Sequence, residues 1–156
     1  MLAIGISGVN VRRYMNMLLI GDVFDFFEVR GIEISTFTRF EISGALDREL
    51  LLKPDPEAGR DFCLWGELRP FVRGIIQAGK RPRDLKLVFT LPMKDALRLH
   101  PNASALSLNT RFDGENVTCY TATSQKAFAL DKTLDAAWED YVRRFFGGLG
   151  IEFAYD

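Results

Sequence analysis

The side chains that could carry chemistry in this chain are few and scattered. His100 is the only histidine, and the two cysteines, Cys63 and Cys119, lie far apart in sequence. Nucleophilic or general acid–base catalysis needs a nucleophile and a base held by a third group, and a lone histidine with two separated thiols does not make such a set. Zinc requires cysteine or histidine pairs at ligand spacing, and calcium an acidic loop of fixed periodicity; neither pattern occurs. Carboxylate pairs of the kind glycosidases use could arise from Glu33 and Glu41 on neighbouring strands, or from Asp131 and Asp135 one helical turn apart. A chain with 21 acids offers such pairs by number alone, and a solvated surface is the plainer reading. Phosphate-cradling patterns (GxxxxGK[ST], GxGxxG) are absent, and Gly147-Gly148-Leu149-Gly150 follows a helical pattern where a phosphate loop would precede one. No catalytic residue, metal or cofactor is therefore assigned, and the reading leans away from an enzyme.

The basic residues are the better signal. Residues 60–98 hold nine lysines and arginines against four acids, whereas the whole chain carries a net charge of −1. A local basic surface can bind phosphate backbone by releasing counterions, although the chain as a whole exerts no attraction on polyanions. The plainer alternative is that Lys80, Arg81 and Arg83 complement a helix C-terminus and solubilise a loop. No run of aromatic residues accompanies the basics, which favours backbone contact over single-strand stacking.

The elements that must position these groups are those of an ordinary globular domain. At 156 residues, with 47% hydrophobic and 26% charged residues, the chain can bury roughly two-thirds of its unfolded surface in one core. The cysteine usage suits reduced thiols in a cytoplasmic protein. Positive charges follow the first apolar run instead of preceding it, so the N-terminus is not expected to be a signal peptide. No apolar run reaches the ~18 residues of a membrane span. The sequons at Asn102 and Asn116 then read as chance matches.

Residues 2–6 alternate as a strand. Asn10 is expected to cap a helix with Val11, Tyr14, Met17 and Leu18 inward and Arg12, Arg13 and Asn16 outward. Residues 29–46 read as two strands, with Glu33, Ser35, Glu41 and Ser43 outward and Ile32, Ile34, Phe40 and Ile42 inward. KPDPEAG (53–59) is the clearest linker. A helix follows, carrying Trp65, Leu68, Val72, Ile75 and Ile76 on one side, with Pro70 either in its first turn or kinking it. Residues 85–130 then predict strand, short helix and three strands: LKLVFTL, PMKDALRL with Lys94 and Arg98 on its polar stripe, SALSLNTRF, NVTCYTATS and KAFAL. A last helix over 133–146 buries Leu134, Trp138, Tyr141, Val142 and Phe145, with Glu139/Arg143 and Asp140/Arg144 as supporting pairs. The tail IEFAY can add a short strand. Glu139, Val142, Phe145 and Phe146 also match the spacing of peptides that dock into clamps, although an amphipathic helix produces the same spacing.

The expected fold is a single α+β domain, an antiparallel sheet with helices on one face. Strand–helix–strand–strand order recurs with a period near 80 residues, so that residues 1–52 and 85–130 could be two β-α-β-β-β halves. TFTRFEISG, LWGELRPF, FDGENVTCYTATS and FALDKTLDAAW resemble a bacterial family known only as a domain of unknown function, which implies a cytoplasmic bacterial protein and no mechanism. More remotely, LKLVFTLPMKDALRL, FDGENVTCYTAT and KAFAL resemble one β-α-β-β-β unit of the sliding DNA clamps. That resemblance implies a sheet as outer wall, helices toward DNA, and Arg12, Arg13, Asn16, Lys94 and Arg98 on the nucleic-acid side. One chain holds one such domain, so a ring would need several subunits.

Three functions follow in order. The first is a non-enzymatic binding or scaffolding protein that contacts nucleic-acid backbone or a protein partner through its helix faces. The second is a small-molecule-binding protein or enzyme with a cleft near the Trp65 helix. The third is a homo-oligomer that pairs exposed strands. A membrane is not an expected partner.

Overall fold

The computed structural model describes residues 1–47, 49, 60–79 and 82–155. The linker expected at 53–59, and Lys80 and Arg81, lie outside the described residues. The elements run β1 (Ala3–Ile6), α1 (Val9–Leu19), β2 (Glu28–Ser35), β3 (Arg39–Ser43), α2 (Trp65–Ala78), β4 (Asp84–Thr90), α3 (Met93–Leu99), β5 (Ala103–Phe112), β6 (Val117–Gln125), α4 (Thr133–Gly147) and β7 (Ala154–Tyr155). All strands join one antiparallel sheet in the order β3-β2-β4-β5-β6-β1-β7. The fold is α+β, as expected.

Alternation along the strands makes the sheet two-faced. In register, Ile34, Leu85, Phe112 and Val117 form one row and Ile32, Leu87, Thr110, Cys119 and Ile4 the next; all are buried. The opposite face carries Glu33, Lys86, Asn109, Arg111 and Thr118 and is not covered by any of the described helices. Each helix packs its apolar stripe on the first face. Tyr14 and Leu18 of α1, Trp65 and Val72 of α2, Ala96 of α3, and Leu134, Trp138, Val142 and Phe146 of α4 are all buried. Aromatic rings join the layers: Phe89 of β4 stacks on Phe27 at 5.2 Å and meets Trp65 edge-on at 5.5 Å, while Tyr14 lies over Phe146 at 6.2 Å. Trp138 fixes α4 to the sheet by donating its indole N–H to the Ser107 carbonyl at 2.8 Å.

Several local expectations are corrected. Asn10 lies inside α1 and does not cap it. The cap is Gly8, whose φ of 61° belongs to glycine and whose missing side chain leaves the first helical amides without a side-chain partner. Pro70 sits in the interior of α2, past its first turn. Of the two pairs expected on α4, only Asp140–Arg144 forms, at 3.4 Å.

The largest correction is KAFAL, which is not a strand. Asn102 takes both backbone groups of Ala127, donating to its carbonyl at 2.8 Å and accepting from its N–H at 2.9 Å. Gln125 does the same to Ala129 at 3.2 and 3.1 Å. Their hydrogen bonds go to side chains, so no ladder is left to make. The intervening Phe128 and Leu130 point outward, 85% and 84% exposed. Both segments of the apparent repeat keep strand–helix–strand–strand order, but β4 pairs with β5 of its own segment, whereas β1 pairs with β6 of the other.

Candidate functional site

The five basic and polar residues singled out by sequence all lie exposed on helices and fall into two groups. Arg12, Arg13 and Asn16 project from α1; Lys94 and Arg98 project from α3. Helix α1 packs against α2 and α3 against α4, so the two groups belong to different helix pairs. Arg98 lies 3.8 Å from Asp95, an exposed pair that contributes little. Arg12, Arg13 and Lys94 form no ion pair with a described residue. Of the nine basic residues in 60–98, three more stand in ion pairs besides Arg98: Arg60 with Glu67, Arg69 with Asp25 and Lys86 with Glu33. Lys86 stands on the open sheet face and Lys94 on the helix side, so the segment does not present one basic surface.

The groups weighed for catalysis are committed elsewhere. The Asn102 N–H donates to His100 Nδ1 at 3.1 Å, which leaves Nε2 carrying the proton toward Thr133 Oγ1 at 2.8 Å. The Thr133 hydroxyl in turn donates to Asp131. The imidazole is thus a donor to that hydroxyl, not a base aimed at it, and it ties the α3–β5 corner to the start of α4. The Thr133 hydroxyl and N–H together hold the Asp131 carboxyl below its usual range. The same corner uses up the amide of the first sequon. Asp135 accepts from Thr123, while Glu33 and Glu41, directly opposite in the β2–β3 ladder, share Arg39 at 2.8 and 3.0 Å. Val142 and Phe146 of the apparent docking pattern are core residues.

Both thiols are poor nucleophiles. Burial pushes Cys119 up to about 11, with Tyr14 Oη at 3.4 Å and Thr110 Oγ1 at 3.5 Å around its sulfur. Cys63, half-buried, is raised by burial and then by Glu67. A raised folded-state pKa keeps the reactive thiolate scarce at neutral pH. Titration with a disulfide reagent at pH 8 is expected to modify Cys63 slowly and Cys119 only after denaturation; two rapidly reacting thiols in the native protein would contradict this packing.

Between α1 and α2 lies a cleft of about 570 Å³. The two helices are clamped at one end. Trp65 of α2 donates its indole N–H to the Leu18 carbonyl at 2.8 Å, and Arg69 reaches the Ile20 carbonyl at 3.3 Å while gripping both oxygens of Asp25 at 2.9 and 2.8 Å. These bonds satisfy carbonyls at the C-terminal end of α1, where helices leave acceptors unpaired. At the other end no hydrogen bond or ion pair among the described residues ties the helices, and the cleft opens. Val11, Met15 and Leu19 of α1 face Ile76 of α2 across it, with Phe112 at the end of β5 beneath. Arg12 and Glu115 stand at its rim. Both are charged and exposed, and neither is ion-paired with the other or with any described residue. Apolar walls with a few converging polar groups are the ordinary form of a ligand site.

Two further depressions are less suited. The one on the open sheet face, about 510 Å³, has its charges engaged in ion pairs, Glu33 with Lys86 and Arg39 and Glu41 with Arg39, and the one at Thr123, Asp135 and Glu139 is smaller, about 210 Å³. Of the cleft residues, sequence reasoning had only Arg12 as a site residue. The missed signal was the spacing of Val11, Met15 and Leu19 at i, i+4 and i+8. This second apolar stripe, beside the Tyr14–Leu18 core stripe, makes α1 apolar over a wider arc than one packing face needs.

A model of a family of unknown function, DUF5721, matches residues 17–154, from within α1 to β7. The chain belongs to that family. Neither curated proteins nor solved structures include a significant match to it. Among the described residues no helix of this DUF5721 member is long and apolar enough to cross a membrane.

Proposed function

We propose that this DUF5721 chain is a non-enzymatic binding protein whose working site is the α1–α2 cleft. The observation that carries this reading is the coincidence of half-buried apolar walls with two charges, Arg12 and Glu115, that make no ion pair with a described residue, at one opening. Such a site takes an apolar body bearing a charged end: the body replaces water on Met15, Leu19 and Ile76, and the guanidinium receives an anion. The commitment of His100, Asp131, Asp135 and Cys119 to structural bonds supports binding over catalysis. Two free thiols support a cytoplasmic setting.

The test uses anilinonaphthalene sulfonate, an apolar dye with one anionic group. The folded protein is expected to bind it saturably at one site. Met15→Glu should abolish the signal, Ile76→Glu should do so independently, and Arg12→Gln should weaken binding roughly three- to tenfold. Binding unaffected by these changes, or no saturable binding, would remove the cleft as the site. A second reading, contact with nucleic-acid backbone, is supported by the exposure of Arg12, Arg13, Asn16, Lys94 and Arg98. In a parallel titration it requires salt-dependent affinity for duplex DNA that falls when Lys94 and Arg98 are neutralised.

A further inference from the structure

The loop between β6 and α4 is built to display two apolar side chains. Asn102 holds the backbone of Ala127, Gln125 holds that of Ala129, and Asp131 accepts from the Thr133 N–H at 3.1 Å, so the loop backbone is tied on both sides of Phe128 and again after Leu130. Phe128 and Leu130, between the anchors, are left almost fully in water. A mobile loop could fold such residues against its own surface; this one is held from doing so. Pre-organisation of this kind lowers the ordering cost of association. Lys126 and Lys132 flank the pair, exposed and without an ion pair to a described residue.

The α1–α2 cleft presents the complementary features: apolar walls, the Glu115 carboxylate, which makes no ion pair with a described residue, for a lysine, and Arg12 for Asp131. The two surfaces cannot meet within one molecule. The cleft lies at the β5–β6 turn, beside Phe112 and Glu115, and the loop follows the far end of β6, nine residues away along an extended strand, or roughly 30 Å. We infer that the Phe128–Leu130 loop of one copy seats in the α1–α2 cleft of the next, giving a head-to-tail self-association. This rests on the cleft reading above and names its occupant. A contact between two different patches propagates into a ring or a fibre, depending on the rotation between copies, in contrast to a two-fold dimer that closes on itself.

Sedimentation velocity separates the outcomes. The wild-type mass should rise with concentration, and anilinonaphthalene sulfonate should oppose the rise by competing for the cleft. A chain carrying Phe128→Asp and Leu130→Asp keeps its cleft but lacks the loop, and should stay monomeric; each change alone should weaken association at least about tenfold. Met15→Glu keeps the loop but blocks the cleft, and should also stay monomeric, with Ile76→Glu as a second cleft variant should the first not fold. Mixed in equal amounts, loop-deficient and cleft-deficient chains retain one intact contact and should form a dimer that grows no further. A wild-type monomer at all concentrations that still binds the dye overturns the second-copy occupant and leaves the cleft reading standing. Absence of dye binding overturns the cleft reading itself. Association indifferent to both sets of changes, or a mixture that does not dimerise, overturns the head-to-tail contact.

Discussion

Replacing Phe89 with alanine is expected to destabilise the fold by about 3–5 kcal/mol, with the urea midpoint lowered and the slope of the transition unchanged. The ring is fully buried in β4 and is met from several directions. Phe27 stacks on it with planes 3° apart, Phe24 lies 6.0 Å away, and Trp65 of α2 meets it edge-on. These partners come from the turn after α1 and from α2, each anchored by its own hydrogen bonds, including Trp65 N–H to the Phe27 carbonyl at 2.8 Å. The surroundings therefore cannot collapse into the space left by the ring, and incomplete collapse is what drives the cost toward the upper part of that range. Domains of this size are stable by only ~5–15 kcal/mol, so the change removes a large share of the total. A loss below about 1 kcal/mol would mean that the aromatic cluster is not packed as described. Because Trp65 also ties α2 to α1, the variant should lose dye binding at the cleft at denaturant concentrations where the wild type retains it.

Gly44→Ala is expected to be as damaging, for a different reason. The backbone of Gly44 passes so close to β2 that a Cβ would lie 1.6 Å from the Val29 carbonyl oxygen and 2.5 Å from its carbon. Both are backbone atoms, and neither can swing aside. Around this point Gly44 N–H donates to Arg30 O at 3.2 Å, Cys63 N–H to Gly44 O at 2.7 Å and Val29 N–H to Cys63 O at 2.8 Å. Accommodating a methyl group means parting segments that these bonds join, next to the register shift in β2 between Val29 and Gly31. The expected cost is about 3 kcal/mol or more, read as a fall in Tm of several degrees or as failure to accumulate folded protein. Gly74→Ala supplies the contrast. That glycine is exposed within α2, with open space where the methyl group would go, and alanine there should stabilise by about 0.5–1 kcal/mol. Similar melting temperatures for the two variants would refute the close approach at Gly44.

Neither effect was legible in the residue order. Gly44 falls inside the strand-like stretch 29–46 with nothing local to mark it; its role depends on residues 29 and 63 arriving beside it. Phe89 reads only as one of several inward positions of LKLVFTL.

The secondary structure was largely open to sequence reasoning because it rests on local periodicity. The spacing of Tyr14 and Leu18, of Trp65 and Val72, and of Leu134, Trp138 and Val142 is set by the 3.6-residue turn, and these positions are buried as expected. On the last helix, by contrast, Tyr141 and Phe145 are only half-buried and Phe146 enters the core. Alternation likewise placed Ile32, Ile34, Leu85 and Leu87 inward. The local pattern misled at KAFAL, where a strand needs a partner with free hydrogen-bonding groups and the neighbouring Asn102 and Gln125 side chains took them first.

By itself, then, the sequence determined an α+β domain with one buried sheet face and four amphipathic helices, since burial of periodic apolar positions is a property of each segment alone. Only the tertiary structure decided the strand order, the separation of Arg12 from Lys94, the pairing of α1 with α2 that opens the cleft, and the outward display of Phe128 and Leu130. Those features depend on which distant segments compete for the same hydrogen bonds and apolar surface, and that competition has no local period to read.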